Sequence, residues 1–203
     1  AQTKKPIIIS TGMANLEEIT EAVETANYYG CMDIILLHCI SGYPTPVDQC
    51  NLLTIPDLAQ RYDVIPGLSD HTLGTTVSVA SVALGACVIE KHVTLSREEK
   101  GADSEFSLEP NQFKKLCDEA KTAWLSLGEA GYDRKPAEDE NIKFRRSIYV
   151  VKDIKAGEIL TNKNIRRIRP GFGLPPKYIN KVIGRAVKVD LERGTALNWE
   201  HLE

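Results

Sequence analysis

Short apolar runs alternate with amphipathic stretches through the first part of the chain. Four of the runs have the length and composition of strands: PIIIS, DIILLHC, VIPGL and CVI. A continuous apolar run is typical of a parallel strand that is covered on both faces, so we expect the strand at 6–10 to be buried. Between the runs, apolar residues recur at helical spacing, as from Leu16 to Tyr29. The pattern therefore predicts four parallel strand–helix units in residues 1–127.

Local signals support the predicted helices. Asn15 and Glu18 have the spacing of a capping box, and Gly30 closes the first helix. The last helix of this region is predicted from Glu109 to Leu127. Its expected buried face consists of Phe113, Leu116, Ala120, Ala123, Trp124 and Leu127.

Strand–helix alternation gives either an open doubly wound sheet or a (β/α) barrel. The first strand is not followed by a glycine-rich phosphate-binding motif, which disfavours the nucleotide-binding open sheets. Polar residues follow every predicted strand, as in a TIM barrel. The sequence therefore predicts an α/β fold that is the C-terminal half of a (β/α)8 barrel, with open sheet edges.

The alternation of strands and helices ends after residue 127. Residues 128–141 are charged and contain glycine, which predicts a linker. Residues 142–203 contain short β-type segments separated by glycine turns, at 147–151, 165–169 and 184–190. They predict a small β-rich domain.

Two of the predicted strands end in similar polar triplets, Ser69-Asp70-His71 and Glu90-Lys91-His92. Right-handed crossovers bring the carboxyl ends of neighbouring parallel strands to one edge of the sheet, so His71 and His92 are expected to be neighbours. Two imidazoles beside carboxylates suit a divalent metal or an acid/base pair. The alternative is that each histidine caps its strand and hydrogen-bonds to the backbone.

The neighbouring side chains carry further expectations. Glu90 lies on the same side of its strand as His92, where it can orient a ligand, hold water or relay a proton. The alternative for Glu90 is an ion pair with Lys91 or another barrel residue. Asp70 faces the other way and is predicted to be structural. His38 and Cys39 end a strand but are assigned to the core.

Composition narrows the possible partners. The formal net charge of the 203 residues is −3, which gives no support for nucleic-acid binding. Five cysteines without a C-x-x-C pair favour reduced thiols in a cytoplasmic protein. No apolar segment has the length of a membrane span or of a signal peptide, and the absence of an initiator Met fits a fragment or a processed chain.

The chain resembles the sialic acid synthase family, including the pseudaminic acid synthases, followed by an antifreeze-like or SAF domain with a β-clip fold. The motifs that carry this resemblance span both parts of the chain: KPIIISTGMA, LLHCISGYPTP, GLSDHTLG, VALGACVIEKHVTL, FSLEP, VVKDIKAGEIL, RPG and GRA. Family members carry four further strand–helix units before PIIIS, so the resemblance implies that this chain alone is inactive.

The resemblance also implies roles for individual residues. His71 and His92 would bind Mn²⁺, or another divalent cation such as Mg²⁺ or Co²⁺, with Glu90 as a further catalytic residue. Ser41 and Ser69 would contact the phosphate of phosphoenolpyruvate. The remaining substrate-binding residues would be Tyr43, Asp103, Arg169 and, on weaker support, Phe144.

The implied reaction is a metal-dependent condensation of phosphoenolpyruvate with an N-acetylated amino sugar, which releases phosphate. The implied assembly is a domain-swapped homodimer in which the SAF domain of one subunit covers the barrel of the other. Two alternatives remain open at this point: a different metal-dependent barrel aldolase, and an inactive fragment or sugar-binding module.

Overall fold

Four strands form one parallel sheet in the first part of the chain, in the order of the sequence. The computed structural model describes residues 1–203 and separates into two units, Ala1–Glu129 and Ala130–Glu203. The strands of the first unit are β1 (Ile7–Ser10), β2 (Ile34–Cys39), β3 (Ile65–Asp70) and β4 (Val88–Lys91). All neighbouring pairs are parallel, as the sequence predicted.

A helix follows each strand of this sheet. The four helices are α1 (Leu16–Tyr28), α2 (Thr54–Tyr62), α3 (Thr76–Ala83) and α4 (Pro110–Leu127). Single 3₁₀ turns precede α2 at Val47–Gln49 and α4 at Arg97–Glu99. Asn15 and Glu18 form the predicted capping box at the start of α1. The arrangement confirms the predicted half-barrel.

The burial of β1 differs from the prediction. Ile7 and Ile9 pack with α1 residues in a buried apolar cluster, whereas Ile8 is 58% exposed. Successive side chains of a strand point to opposite faces, and the helices of this unit cover only one of them. The expectation that β1 is buried on both faces is therefore wrong.

The predicted face of α4 is also only partly buried. Leu116 is buried, whereas Phe113, Trp124 and Leu127 are exposed and line a cavity of about 670 Å³. Apolar spacing identified the helix correctly, but α4 makes its main contacts with α3. Burial of the whole apolar face does not follow from periodicity alone.

The second unit contains little regular structure. A 3₁₀-helix, Pro136–Phe144, begins within the predicted linker 128–141. Strands β5 (Ser147–Val150) and β6 (Ile165–Ile168) pair antiparallel, and one short helix follows, α5 (Ile179–Val182). Further 3₁₀ turns lie at Pro176–Tyr178 and Trp199–His201.

Isolated bridges replace the strand predicted at 184–190. Ala186 pairs with Ile159, and Val187 pairs with Leu202. Turns interrupt the chain too often for longer ladders, and Gly157, Gly184 and Gly194 adopt positive φ at these turns. The unit is thus held by an apolar core whose members include Ile148, Leu160, Val182, Val187 and Leu197.

All five cysteines are free, with Cys31, Cys39 and Cys50 buried and Cys87 and Cys117 exposed. No helix of residues 1–203 combines the length and the hydropathy that crossing a membrane requires.

Candidate active site at the carboxyl end of the sheet

The two predicted ligand histidines lie side by side. In the register of β3 and β4, Ser69 is opposite Glu90 and Asp70 is opposite Lys91, so the next residues along both strands are His71 and His92. Their ring centroids are 5.1 Å apart. The structure therefore brings the imidazoles together at the carboxyl edge of the sheet, where the strand pattern predicted them.

His71 is buried and is held through its Nδ1 atom. This atom lies 3.2 Å from the carbonyl oxygen of Ile40 and 3.8 Å from the Sγ atom of Cys39. The backbone contact expected for a strand-capping histidine thus exists, but it leaves Nε2 without a hydrogen-bond partner in the chain. Burial lowers the pKa of His71, although the Ile40 contact opposes this shift. The neutral imidazole, which is the form that binds metals, is favoured.

His92 is held by a carboxylate. Its Nδ1 atom lies 3.5 Å from Oδ2 of Asp103, and both side chains are partly exposed. The loop that carries Asp103 returns to the sheet, because the Leu108 N–H donates to the His92 carbonyl at 2.9 Å. A carboxylate at one imidazole nitrogen orients the ring and directs the other nitrogen toward a ligand.

Two aromatic rings enclose the histidines. The Tyr43 ring centroid lies 4.4 Å from that of His71 and 5.5 Å from that of Phe106. Phe106 is 8% exposed, and its ring centroid lies 5.1 Å from that of His92. Sequence reasoning did not include Phe106 among the site residues. The available signal was a single aromatic residue in the polar loop between β4 and α4.

The Tyr43 loop is tied to the same strand end. The Thr45 N–H donates to the carbonyl oxygen of His71 at 3.0 Å, and the Thr45 hydroxyl donates to the carbonyls of Ile40 and Gly42. These bonds place the loop after β2 over the end of β3. Tyr43 remains more than half exposed.

Glu90 and Ser69 form a hydrogen-bonded pair. The Ser69 hydroxyl donates to Oε1 of Glu90 at 2.7 Å, across the register of β3 and β4. Lys91 binds Asp70, so an ion pair between Glu90 and Lys91 is not present. Glu90 is exposed, and its carboxylate is bonded to a serine rather than to a lysine.

Ser41 lies against the loop that follows β1. Its Oγ atom is 3.9 Å from the Sγ atom of Cys39, and a Cβ atom placed on Gly12 would lie 2.2 Å from Ser41 Oγ. A larger residue at position 12 would require the Ser41 hydroxyl to rotate away. Cys39 is buried, as is His38, whose Nε2 lies 2.7 Å from the carbonyl oxygen of Cys50, as their assignment to the core requires.

A buried ion pair lies behind the histidines, where the sequence predicted a structural role for Asp70. Nζ of Lys91 is 2.9 Å from Oδ2 of Asp70, and both side chains are 1% exposed. Burial alone would raise the pKa of Asp70, but hydrogen bonds from Ser78, Lys91 and the Thr72 N–H outweigh it, so this pKa is lowered. The carboxylate is therefore charged at neutral pH.

The histidine pair fits a divalent cation with open coordination positions. Imidazole nitrogens bind several first-row metals, and the Nε2 atoms of His71 and His92 make no bond within the chain. No group of three or more histidine, cysteine or acidic side chains in residues 1–203 is arranged to hold a metal ion. A cation at this site would therefore have only these two imidazoles as histidine ligands from residues 1–203.

Arg169 and Phe144 belong to the second unit. Arg169 is exposed and precedes a cis proline, Pro170. The Gly171 N–H donates to the carbonyl oxygen of Lys143 at 2.9 Å, which brings the segment of Phe144 beside that of Arg169. Phe144 is exposed and lies below the Lys143 ammonium. Their roles stay predictions.

Comparison with known proteins decides the family. The model of the NeuB family matches residues 1–132, and the SAF domain model matches residues 145–203. The chain belongs to the NeuB family. The resemblance to the sialic acid synthases, with a SAF domain behind the half-barrel, is thereby confirmed.

Relatives in this family have named activities. The chain is 41% identical to a pseudaminic acid synthase of Campylobacter jejuni over 97% of this chain and 57% of the relative. It is 38% identical to the N,N'-diacetyllegionaminic acid synthase of Legionella pneumophila over 100% of this chain and 58% of the relative. The chain thus spans less than two thirds of the length of these curated relatives.

A solved structure has a similar fold. The spore coat polysaccharide biosynthesis protein SpsE of Bacillus subtilis aligns with 30% identity and a TM-score of 0.60, over 100% of this chain and 62% of that one. This likeness covers both units, so it supports the half-barrel and the SAF domain together.

Proposed function

We propose that this chain is part of a nonulosonic acid synthase that condenses phosphoenolpyruvate with an N-acetylated amino sugar and releases phosphate. The observation that carries the proposal is the histidine pair, His71 and His92, with ring centroids 5.1 Å apart and both Nε2 atoms unengaged. The names of the relatives support synthesis of a pseudaminic, legionaminic or sialic acid.

His71 and His92 hold a divalent cation in this proposal, Mn²⁺ or a substitute such as Mg²⁺ or Co²⁺. The cation, when bound, supplies Lewis-acid polarisation of the aldehyde of the open-chain sugar. The chain contributes the orientation of the two rings. Ile40 fixes that of His71 through its carbonyl, and Asp103 fixes that of His92.

The substrates are held by the side chains around the histidines. Tyr43 offers an exposed ring face and a hydroxyl to the sugar, and Asp103 is within reach of sugar hydroxyls while it contacts His92. Ser41 and Ser69, at neighbouring strand ends, bind the phosphate of phosphoenolpyruvate. Phe106 closes the wall of the site and limits the access of water to the rings.

The reaction forms one C–C bond and one C–O bond from water, and it breaks the C–O bond to the phosphate group. C3 of phosphoenolpyruvate attacks the aldehyde carbon, water adds at C2, and phosphate leaves with the bridging oxygen. Glu90 is exposed and hydrogen-bonded to Ser69, and in this proposal its carboxylate accepts the proton of the added water. A serine hydroxyl has one proton to donate, so the Ser69 bond to Glu90 is exchanged for the phosphate when phosphoenolpyruvate binds in this proposal.

The SAF domain completes the site from a second copy of the chain in this proposal. Arg169 supplies an exposed guanidinium for the acyl-amino sugar, and Phe144 supplies an exposed ring in the neighbouring segment. The functional assembly is then a homodimer with exchanged SAF domains.

Binding of Mn²⁺, followed by electron paramagnetic resonance, tests the metal site. We expect His71→Ala and His92→Ala each to weaken binding by at least about tenfold relative to the 203-residue chain. His201→Ala is the matched control, because His201 lies in the second unit and is expected to leave affinity unchanged. Wild-type affinity in the first two variants would refute the proposed site.

The reaction itself is tested by release of inorganic phosphate. Phosphoenolpyruvate is supplied with N-acetylmannosamine or with a diacetamido-trideoxyhexose, and the product is identified by mass spectrometry. A nine-carbon acid supports the synthase, whereas a product without the three phosphoenolpyruvate carbons indicates a different aldolase. Because the 203-residue chain alone is expected to be inactive, the assay uses the whole synthase of which it is proposed to be part, and sugar binding without phosphate release by that protein indicates a sugar-binding module.

A further inference from the structure

We infer that the buried Asp70–Lys91 ion pair is a positioning device that sets the separation and orientation of His71 and His92. The inference rests on the proposed function, in which these histidines hold the divalent cation. It assigns to two residues, which touch neither cation nor substrate, a direct influence on cation affinity.

The position of the pair connects it to both histidines. Asp70 and Lys91 are opposite each other in the register of β3 and β4, and each immediately precedes a histidine. Asp70 receives a hydrogen bond from Ser78 of α3, so the pair lies on the helix-covered face of the sheet. Side chains alternate along a strand, so the histidines project toward the opposite face.

The pair also holds the backbone on the far side of His71. Oδ1 of Asp70 accepts a hydrogen bond from the Thr72 N–H at 2.8 Å, and Nζ of Lys91 donates to the Thr72 carbonyl oxygen. Both polar backbone groups of Thr72 are therefore bound to the pair. His71 therefore lies between two residues, Asp70 and Thr72, whose positions the pair fixes. Lys91, which immediately precedes His92, bonds directly to both of these residues.

Stability alone is a poor explanation for these charges. Removal of two charges from water is costly, and a buried ion pair generally stabilises a fold no better than apolar residues of the same volume. An apolar pair, however, has no directional contacts to the Thr72 backbone. What the charges add is fixed geometry at the strand ends, which a two-imidazole site needs from its supporting residues.

The test is the double variant Asp70→Leu/Lys91→Met, which removes both charges without leaving either one unpaired. Mn²⁺ affinity is measured by electron paramagnetic resonance, the Co²⁺ complex by its visible absorption spectrum, and folding by circular dichroism. We expect a folded protein that binds Mn²⁺ about 10–100-fold more weakly than wild type and gives an altered Co²⁺ spectrum. A merely structural pair would change neither metal measurement in a folded variant.

The exposed pair Asp57–Arg61 provides the matched control within the first unit. Its side chains are 50% and 45% exposed and lie 2.9 Å apart on α2. Asp57→Leu/Arg61→Met should leave Mn²⁺ affinity and the Co²⁺ spectrum unchanged. Equal losses in the two double variants would overturn the inference, because they would show a general effect of charge removal.

Three further outcomes are decisive. If the Asp70/Lys91 double variant does not fold, Ser78→Ala is measured instead. This variant removes one hydrogen bond from Asp70 and retains both charges. Wild-type Mn²⁺ affinity in Ser78→Ala overturns the inference. If the wild-type chain binds Mn²⁺ through His71 and the folded double variant binds it equally well, only the positioning role fails. A wild-type chain without Mn²⁺ affinity overturns the proposed metal site and the inference together.

Discussion

The interiors of the two units are built from different chemistry. All the buried polar and charged residues except Ser147 lie in the first unit, and they include Asp70, His71 and Thr72 at the carboxyl end of β3. In the second unit Ser147 is the single buried polar residue, and the other buried side chains are hydrophobic. The first unit thus places costly polar groups inside, next to the candidate active site, and the second keeps its charges at the surface.

This difference separates residues that serve chemistry from residues that serve folding. Buried polar groups must be hydrogen-bonded and therefore specify exact positions, whereas an apolar core specifies volume and shape. In the first unit, stability is expected to depend on individual hydrogen bonds. In the second unit, it is expected to depend on the filling of space and to respond little to surface charges.

Leu160→Ala should have the largest effect on stability. Leu160 is fully buried in the second unit, and its truncation removes apolar contacts and leaves a cavity. We expect the free energy of unfolding to fall by about 2–5 kcal/mol. Trp199 is the only tryptophan of that unit, so urea unfolding followed by its fluorescence in a Trp124→Phe background reports the loss. The adjacent Ile159→Ala, at a half-exposed site, should cost much less, and equal losses would contradict the apolar-core argument.

Ser78→Ala should have an intermediate effect in the first unit. The Ser78 hydroxyl is fully buried and donates to the Asp70 carboxylate, and hydrogen bonds to charged groups contribute about 1.5–3 kcal/mol. The loss is measured by urea unfolding through Trp124 in a Trp199→Phe background. Ser126→Ala on α4 is the control, because its hydroxyl is exposed and bonds only to the Ala123 carbonyl. A neutral Ser78→Ala would show that the polar interior does not stabilise this unit.

Asp190→Asn should have the smallest effect. Asp190 lies 2.7 Å from Lys155 on the surface of the second unit, and the hydrogen bond from Lys155 lowers the pKa of Asp190. A carboxyl group whose pKa is lowered in the folded protein stabilises the fold at pH values above its ordinary pKa. This stabilisation is lost as the pH falls through the lowered pKa. Solvent screens the pair, so we expect no measurable change in the thermal midpoint at neutral pH. A midpoint shift as large as that of Ser78→Ala would remove the contrast between the units.

The sequence was most informative about the sheet and the strand ends. Continuous apolar runs predicted the strands β1 to β4, and the crossover geometry of parallel strands then predicted that His71 and His92 meet. The same reasoning was wrong about Ile8, because a run of three isoleucines does not reveal which face a helix covers.

Contacts between distant loops were harder to predict from the sequence. Phe106 packs on His92 only because the loop after β4 folds back through Leu108, and no local spacing encodes that return. The partner of Lys91 was equally uncertain, since Glu90 is adjacent in sequence but Asp70 faces Lys91 across the strand register. In the second unit, single bridges such as Val187 with Leu202 leave too short a pattern for strand prediction.

The bare backbone at Gly12 links two loops that sequence separates. Any larger residue there would require the Ser41 hydroxyl, one of the proposed phosphate contacts, to move from its present position. The loop after β1 and the loop after β2 are therefore in direct contact at this position. A substitution that introduces no charge and removes no ligand would still reach the phosphoenolpyruvate end of the site, through displacement alone.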